Sequence, residues 1–363
     1  MPQSHPRNAS RHLALLLLLI PASRMHAESF TTHRSEPSPY IDGSRTVVIL
    51  PDTQKYAELG EPDNPILSEM MDWVVANRDK RGIELVVHVG DMTQNNSAEE
   101  WQRIRASFKK LDNHVPYVVC EGNHDIKEQP NRMNEFFRVD DNPLNQSIFG
   151  GSYESDHLQN AYYALTMKSG QKYLFLALEY ETRPSVIAWA DKVIKQHADH
   201  RVFITVHKYM SEEGRLLSKD GLPDPDHLGY NRKPYDEGGV RERLMRPNPN
   251  AEFVVCGHCY ALKKGTEGKT KPRFKGVLVL EPDVATGHRS DTKVSGLTFH
   301  QLVFNAQWIP NGGDGWMLLM EFKPDNKSVE VKTFSPHLGL WRSGPEFNYT
   351  FKLAKNEAAG ADE

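Results

Sequence analysis

The sequence predicts an α/β domain. Two observations carry that prediction: apolar strands alternate with amphipathic helices in the first third of the chain, and each strand stops on a polar cluster. A strand–helix–strand order sets neighbouring strands parallel with helices packed on the sheet. In such sheets ligands gather where loops leave the carboxyl ends of strands, so the clusters mark a candidate site.

The first strand is Thr46-Val-Val-Ile-Leu50, apolar throughout as a strand covered on both faces must be, and it stops at Pro51-Asp52. Asn64-Pro65 opens a helix that the spacing carries to about Arg81, with Ile66, Met70, Trp73, Val74 and Ala76 inward. Pro65 suits a first helical turn, where its missing N–H costs nothing. Glu84–Val89 is the second strand and ends at Gly90-Asp91. Ser97-Ala98-Glu99-Glu100 reads as a capping box, and the helix behind it sets Trp101, Ile104, Phe108 and Leu111 on one face. Pro116–Cys120 is the third strand, followed by Glu121-Gly122-Asn123-His124-Asp125.

The middle of the chain repeats the logic. Lys172–Leu178 reads as a strand, Pro184–His197 as a helix, Arg201–Val206 as a strand ending at His207, and Glu252–Cys256 as a strand ending at Gly257-His258. Residues 211–247 are polar and rich in Gly and Pro, and read as a long surface loop that would shape specificity. Gly276–Leu280, Leu297–Phe304, Trp316–Phe322 and Val329–Phe334 read as antiparallel strands and hairpins, with turns at Asn311–Gly315 and Asp325–Lys327.

Residues 1–27 read as a signal peptide for export to the periplasm or beyond. Arg7 and Arg11 precede the apolar run Leu13–Ile20, and Ala27 offers a small residue for cleavage. That run is short against the roughly 20 apolar residues a bilayer needs, with an uncleaved anchor as the rival reading. No later stretch is long enough, so no transmembrane segment is expected in the mature chain. Residues 28–44 are polar and Pro-rich and read as a flexible lead-in, 45–340 as the folded domain, and 341–363 as a C-terminal tail, frayed after Leu353.

Charged residues make up 25% of the 363, the net charge is −4, and no broad attraction to nucleic acid or anionic lipid follows. Cys120, Cys256 and Cys259 cannot all pair within one chain, so the fold stands on its hydrophobic core.

Five clusters follow strands directly: Asp52-Thr53-Gln54, Gly90-Asp91, Gly122-Asn123-His124-Asp125, His207, and Gly257-His258. Two divalent ions need hard oxygen and imidazole donors from separate segments, with one carboxylate shared, and Asp91 is suited to that bridge. Glycines let the backbone turn sharply beside the ions. The ordered set resembles the motifs of the calcineurin-like metallophosphoesterase superfamily, over roughly residues 46–336. Pro51-Asp52-Thr53-Gln54, with Asn305-Ala306-Gln307, Gly312–Trp316 and Thr333–Pro336, is similar to an exported bacterial branch of it.

The resemblance implies two mixed β-sheets packed face to face with flanking helices, a four-layer αββα sandwich. It implies a phosphoesterase hydrolysing a phosphomonoester or phosphodiester by attack of a metal-activated water. The cofactors would be two divalent or trivalent transition-metal ions (Fe, Mn or Zn), and the partner a small phosphorylated substrate. Asp52 and Gln54 would bind the first ion, Asp91 would bridge, and Asn123, His207 and His258 would bind the second. His124 would protonate the leaving oxygen or steady the transition state, with Asp125 orienting its ring. The physics agrees, since paired cations hold phosphoryl oxygens and lower the pKa of water, and phosphoryl transfer needs positioning and charge more than covalent help.

Two departures fall on the first ion: Gln54 stands where the pattern has His, and Tyr260 where the last motif has its second His. That site is then weak, rebuilt by another residue such as His288 or Tyr260, or empty. The alternative function is a non-catalytic member of the fold that binds metal or phosphate. A second alternative is a thiol–disulfide oxidoreductase using Cys256 and Cys259, although the Ala261–Gly265 segment behind them is short for the helix such a site needs. His88, His114, His197, His227 and His300 read as structural. Lys208, Lys263, Lys264 and Arg289 read as loop solvation rather than phosphate contacts, and Trp316 as core rather than a wall of the cleft.

Overall fold

The apolar runs become the strands of two mixed sheets. The computed structural model describes residues 31–354 except 60–63, 127–131, 213, 215, 217–238, 260 and 263–281. The expected signal peptide, the expected strand Gly276–Leu280, and His227, Tyr260, Lys263 and Lys264 lie outside the described residues, as does the chain from 355.

The chain begins the first sheet with β1 (Thr31–His33), β2 (Arg45–Leu50), β3 (Ile83–His88) and β4 (Tyr117–Val118). It then builds the second from β5 (Phe149–Ser152), β6 (Ala161–Thr166), β7 (Lys172–Leu178), β8 (Arg201–Val206) and β9 (Ala251–Cys256). After a two-stranded ribbon of β10 (Ala261–Leu262) and β11 (Pro282–Asp283), that sheet gains β12 (Ala285–Thr292) and β13 (Thr298–Asn305). The first sheet is completed by β14 (Met317–Phe322), β15 (Ser328–Ser335), β16 (Leu340–Ser343) and β17 (Asn348–Lys352). Its order is β1-β16-β15-β14-β2-β3-β4, with β17 also on β15; the second runs β12-β13-β9-β8-β7-β6-β5.

Side chains alternate across a strand, so each sheet has two apolar faces to bury. Val47 and Ile49 of β2 meet Phe253 and Val255 of β9 in the core between the sheets. Val48 and Leu50 face the Ile66–Asn77 and Ala98–Phe108 helices, while Val254 and Cys256 face the Pro184–Gln196 helix and the Gly239–Met245 turn. Helix, sheet, sheet, helix is the four-layer order expected. The capping box forms as read: Ser97 takes the Glu100 N–H at 3.3 Å, and the Glu100 carboxylate reaches back to the Ser97 N–H.

Several expectations are corrected. The first helix stops at Asn77, and Leu67 and Met71 are buried while Ala76 faces solvent. The lead-in is not free: Thr31–His33 pairs with β16, and Glu36 is held by Arg81 and Lys332. The tail from 341 is also part of the sheet, since β16 and β17 both hydrogen-bond to β15. Within 211–247, residues Gly239–Met245 form a wide helical turn that buries Val240, Leu244 and Met245. Leu297–Phe304 is a strand, but it runs parallel to β9 and antiparallel only to β12. That direction matters below, because it carries Asn305 to the same edge as His258. No described helix is long and apolar enough to cross a membrane.

At the amino end of β2 sits a buried ionic cluster. Lys332 Nζ donates to Glu321 Oε2 and Glu36 Oε1, both at 2.7 Å, and Arg81 spans the same two carboxylates at 2.8 and 2.6 Å. Glu321 and Lys332 are wholly buried. Removing one member of such a set strands its partner's charge, at a cost of about 3–5 kcal/mol. Lys332→Met is therefore expected to lower unfolding free energy by that amount in urea, and Lys332→Met with Glu321→Leu to recover most of it. A loss under about 1 kcal/mol for the single change would show that the cluster behaves as a surface pair.

Candidate metal centre

The carboxyl ends of β2, β3 and β4 in one sheet, and of β8, β9 and β13 in the other, open onto one edge of the sandwich. Loops from both sheets meet there and bring Asp52, Asp91, Asn123, His207 and His258 within reach of one another, with the Gln54 backbone N–H on the Asp91 carbonyl.

Asp52, directly after β2, is fully buried. Its Oδ2 accepts from Asn305 Nδ2 at 2.7 Å and Gln307 Nε2 at 3.4 Å, and the His258 backbone N–H lies 3.2 Å away. Burial pushes its pKa well above the ordinary carboxylate value, the Asp91 charge adding to this and His207 opposing it. A Cβ on Gly257 would lie 2.1 Å from Asp52 Oδ1, so only glycine leaves the carboxylate its place.

Asp91 follows β3 with φ 53° and His258 follows β9 with φ 69°, left-handed backbone that costs about 1–3 kcal/mol at a non-glycine residue. The Asp91 carbonyl accepts the N–H of Thr53 (3.0 Å) and Gln54 (2.9 Å), and its Oδ1 accepts the His124 N–H at 2.8 Å. Burial alone would raise its pKa, but the His207 ring and the His124 N–H bring it below the ordinary range.

Four donor atoms then face one point. Asn123 Oδ1 lies 3.1 Å from His207 Nε2 and 2.9 Å from His258 Nδ1. His207 Nε2 lies 3.2 Å from Asp91 Oδ2 and 3.2 Å from His258 Nδ1. Bonds of about 2.0–2.1 Å to one ion set neighbouring donors about 3 Å apart, so the spacing fits a single transition ion. His207 donates its Nδ1–H to the Val89 carbonyl at 2.8 Å, which fixes the tautomer and leaves the Nε2 lone pair for a cation. Burial would lower the His207 pKa, but the Asp91 and Asp52 charges overrule it and raise it to about 10. Without a cation, the cluster recruits a proton.

His124 is partly buried, and its Nδ1 donates to the Gln94 carbonyl at 2.9 Å. The expected role of Asp125 is corrected here, because its carboxylate is not turned to that ring. Its oxygens accept the N–H groups of Met92 (3.0 Å), Thr93 (2.8 Å) and Gly122 (2.9 Å), and the Thr93 hydroxyl. Asp125 thereby clasps the loop after β3 to the turn after β4. Burial, helped by the Asp91 charge, pushes its pKa up to about 6.

The residues that sequence reading missed are those holding the donors: Gln94, Thr93, Asn305 and Gln307. The Asn305-Ala306-Gln307 motif was visible, but its distance from Asp52 along the chain hid the contact. His88 is structural as expected, accepting the Gly90 N–H (3.0 Å) and meeting Thr53 Oγ1 (3.0 Å), and burial lowers its pKa to about 3. His288 does not rebuild the first site; it stacks on Tyr349 with ring centroids 3.8 Å apart. Arg289 is tied to Asp291 and the Gly214 carbonyl, and Trp316 lies in the core between the sheets. Lys208 lies over the ring of Tyr180, which itself sits 6.0 Å from His207 and 6.1 Å from His258. Cys256 and Cys259 are buried and unlinked, and burial pushes the Cys256 thiol up. Thiol exchange needs an accessible thiol of lowered pKa, so that reading is set aside.

For a first ion, the residues present are the Asp52 and Asp91 carboxylates and Gln54, whose backbone N–H lies on the Asp91 carbonyl and whose buried Oε1 meets no hydrogen-bond donor among the described residues. Buried carboxylates and an unpaired amide oxygen are donors that fit a hard cation.

A family model described as calcineurin-like phosphoesterase matches residues 45–259. The chain is 28% identical over 297 residues to the uncharacterized protein YvnB of Bacillus subtilis, across 81% of this chain and 20% of that protein. It is 29% identical over 99 residues to the probable inactive purple acid phosphatase 27 of Arabidopsis thaliana, across 26% of this chain and 16% of that one. The chain thus spans a fifth or less of these relatives' lengths. Among solved structures, the purple acid phosphatase PPD1 from yellow lupin seeds has a TM-score of 0.49 at 13% identity, covering 87% of this chain and 55% of that one.

Two outcomes follow from the geometry. Gly257→Ala should keep the fold by circular dichroism yet bind less metal, because its Cβ displaces Asp52; metal content equal to the native chain's would refute the packing argument. His207, with its pKa raised to about 10, carries its proton through neutral pH in the metal-free protein and loses it only as pH rises through that value. Metal uptake at neutral pH should therefore release about one proton per chain, read by calorimetry in buffers of different ionisation enthalpy, and affinity should rise with pH.

Proposed function

The chain belongs to the calcineurin-like phosphoesterase family, and from that premise we propose that it hydrolyses a phosphomonoester or phosphodiester at a two-ion centre. Asp52 and Gln54 hold the first ion in this reading, Asp91 bridges, and Asn123, His207 and His258 hold the second. The observation that carries it is the convergence of Asp91, Asn123, His207 and His258 donors within 2.9–3.2 Å of their neighbours. Ions bound there would supply positive charge for phosphoryl oxygens and lower the pKa of a bound water.

The chain's own contribution is positional and protonic. The His124 backbone N–H fixes one Asp91 oxygen, and the Gln94 carbonyl holds the His124 Nδ1–H. Nε2 is then the nitrogen that gains and gives a proton, and it hands that proton to the leaving oxygen. The Tyr180 ring packs beside the His207–His258 pair, its centroid 6.0 and 6.1 Å from theirs. The pattern of residues 1–27 supports action outside the cytoplasm.

A second reading, a non-catalytic binder, is favoured by one observation: a neutral amide at Gln54 where the family pattern has an imidazole. One ion per chain and no turnover would support it.

The test uses purified, metal-loaded protein on aryl phosphate monoesters and diesters. Asp91→Ala, Asn123→Ala and His258→Ala should lose hydrolysis and bound metal together. His124→Ala should keep its metal yet lose about 10²–10⁴ in kcat, most for poor leaving groups. Absence of turnover on every ester, with mutants that retain native metal content, would end the proposal.

A further inference from the structure

Two buried amide oxygens in the loops around Asp52 and Asp91 have no hydrogen-bond donor among the described residues, Gln54 Oε1 and Gln307 Oε1, and Gln307 is the one whose amide is bonded to Asp52. The side chains are 2% and 6% exposed, so bulk water does not serve them. Both amide nitrogens are committed, Gln54 Nε2 to Gln94 Oε1 at 3.0 Å and Gln307 Nε2 to Asp52 Oδ2 at 3.4 Å. The Asp52 carboxylate only accepts, so its bond decides which end of the Gln307 amide is oxygen. Gln307 is fixed further by its own N–H on Asn305 Oδ1 at 2.9 Å, and Asn305 in turn donates to Asp52 at 2.7 Å. The C=O and C–N lengths of an amide, about 1.23 and 1.33 Å, keep the Gln307 oxygen within about 6 Å of the Asp52 carboxylate.

Buried acceptors are almost always satisfied, and an unsatisfied oxygen on an amide already bonded to a buried carboxylate asks for a partner. Among the described residues no N–H or O–H reaches the Gln307 oxygen, and a cation held by Asp52 satisfies it. We propose that Gln307 is a ligand of the first ion. With Asp52, Asp91 and Gln54 it makes that position an all-oxygen site selective for a hard divalent cation of the Mg²⁺ or Mn²⁺ class. Carboxylate and carbonyl donors suit such ions, whereas the paired imidazoles of His207 and His258 suit a softer transition ion. The two positions then hold different metals. Gln307 also accounts for the departures at Gln54 and Tyr260, since it supplies a donor from a strand end that the family pattern does not use. The inference rests on the two-ion reading above.

The experiment takes the metal-depleted full chain, loads one equivalent of Zn²⁺, and titrates Mn²⁺ while following free Mn²⁺ by electron paramagnetic resonance, with metal content measured separately. The native chain should take one Mn²⁺ beside its Zn²⁺. Gln307→Leu should weaken Mn²⁺ at least tenfold and leave Zn²⁺ retention unchanged. Gln307→Glu, which keeps an oxygen donor, should bind Mn²⁺ at least as tightly as the native chain. Gln54→His should shift the first position toward Zn²⁺. Native Mn²⁺ affinity in Gln307→Leu, or loss of Mn²⁺ in a folded Gln307→Glu, overturns the ligand assignment. A native chain that fills both positions with Zn²⁺ and refuses Mn²⁺ overturns the selectivity. Binding of no ion at all removes the two-ion reading itself, a separate failure.

Discussion

Asp91 is the point to which the rest of the site is referred. Its carbonyl takes two N–H groups from the loop after β2, one carboxylate oxygen takes the backbone of the turn after β4, and the other faces His207 at the end of β8. One residue therefore registers three loops of one sheet against a strand end of the other. Its left-handed backbone is a strained state, and these bonds are what hold it. The turn after β4 has no room for a side chain at Gly122, where a Cβ would lie 2.1 Å from the Asp91 nitrogen.

This arrangement explains why the surroundings are so heavily determined. Asp52, Asp91 and Asp125 are all buried within a few residues of one another in space. Uncompensated carboxylates in such surroundings are costly, and each is answered differently: Asp125 by backbone N–H groups, Asp52 by two side-chain amides, and Asp91 by an imidazole. The remaining demand for positive charge is visible in His207, whose pKa is driven upward by its carboxylate neighbours. A cation meets that demand without a proton.

The fold serves the site by direction more than by shape. Parallel strands put all their carboxyl ends on one edge, and the face-to-face packing of two such sheets brings both sets of ends together. The opposite end of the first sheet carries the Arg81–Glu321–Lys332 cluster, which ties Glu36 in the segment before β2 to the sheet. Chemistry and anchoring are thus separated along the strands.

The sequence by itself determined the alternation of strands and helices, the buried faces at Val47–Leu50 and Trp101–Leu111, and the strand-end residues Asp52, Asp91, Asn123, His207 and His258 that meet at the edge. It could do so because period, capping and strand-end polarity are local properties, written within ten residues of each other. Only the tertiary structure decided what Asp125 binds, that β13 runs parallel to β9, and that Asn305 and Gln307 therefore meet Asp52 across some 250 residues of chain. It also decided that Thr31–His33, Leu340–Ser343 and Asn348–Lys352 belong to the sheet. Strand direction and the pairing of distant edges depend on how two sheets pack, and no local pattern encodes that.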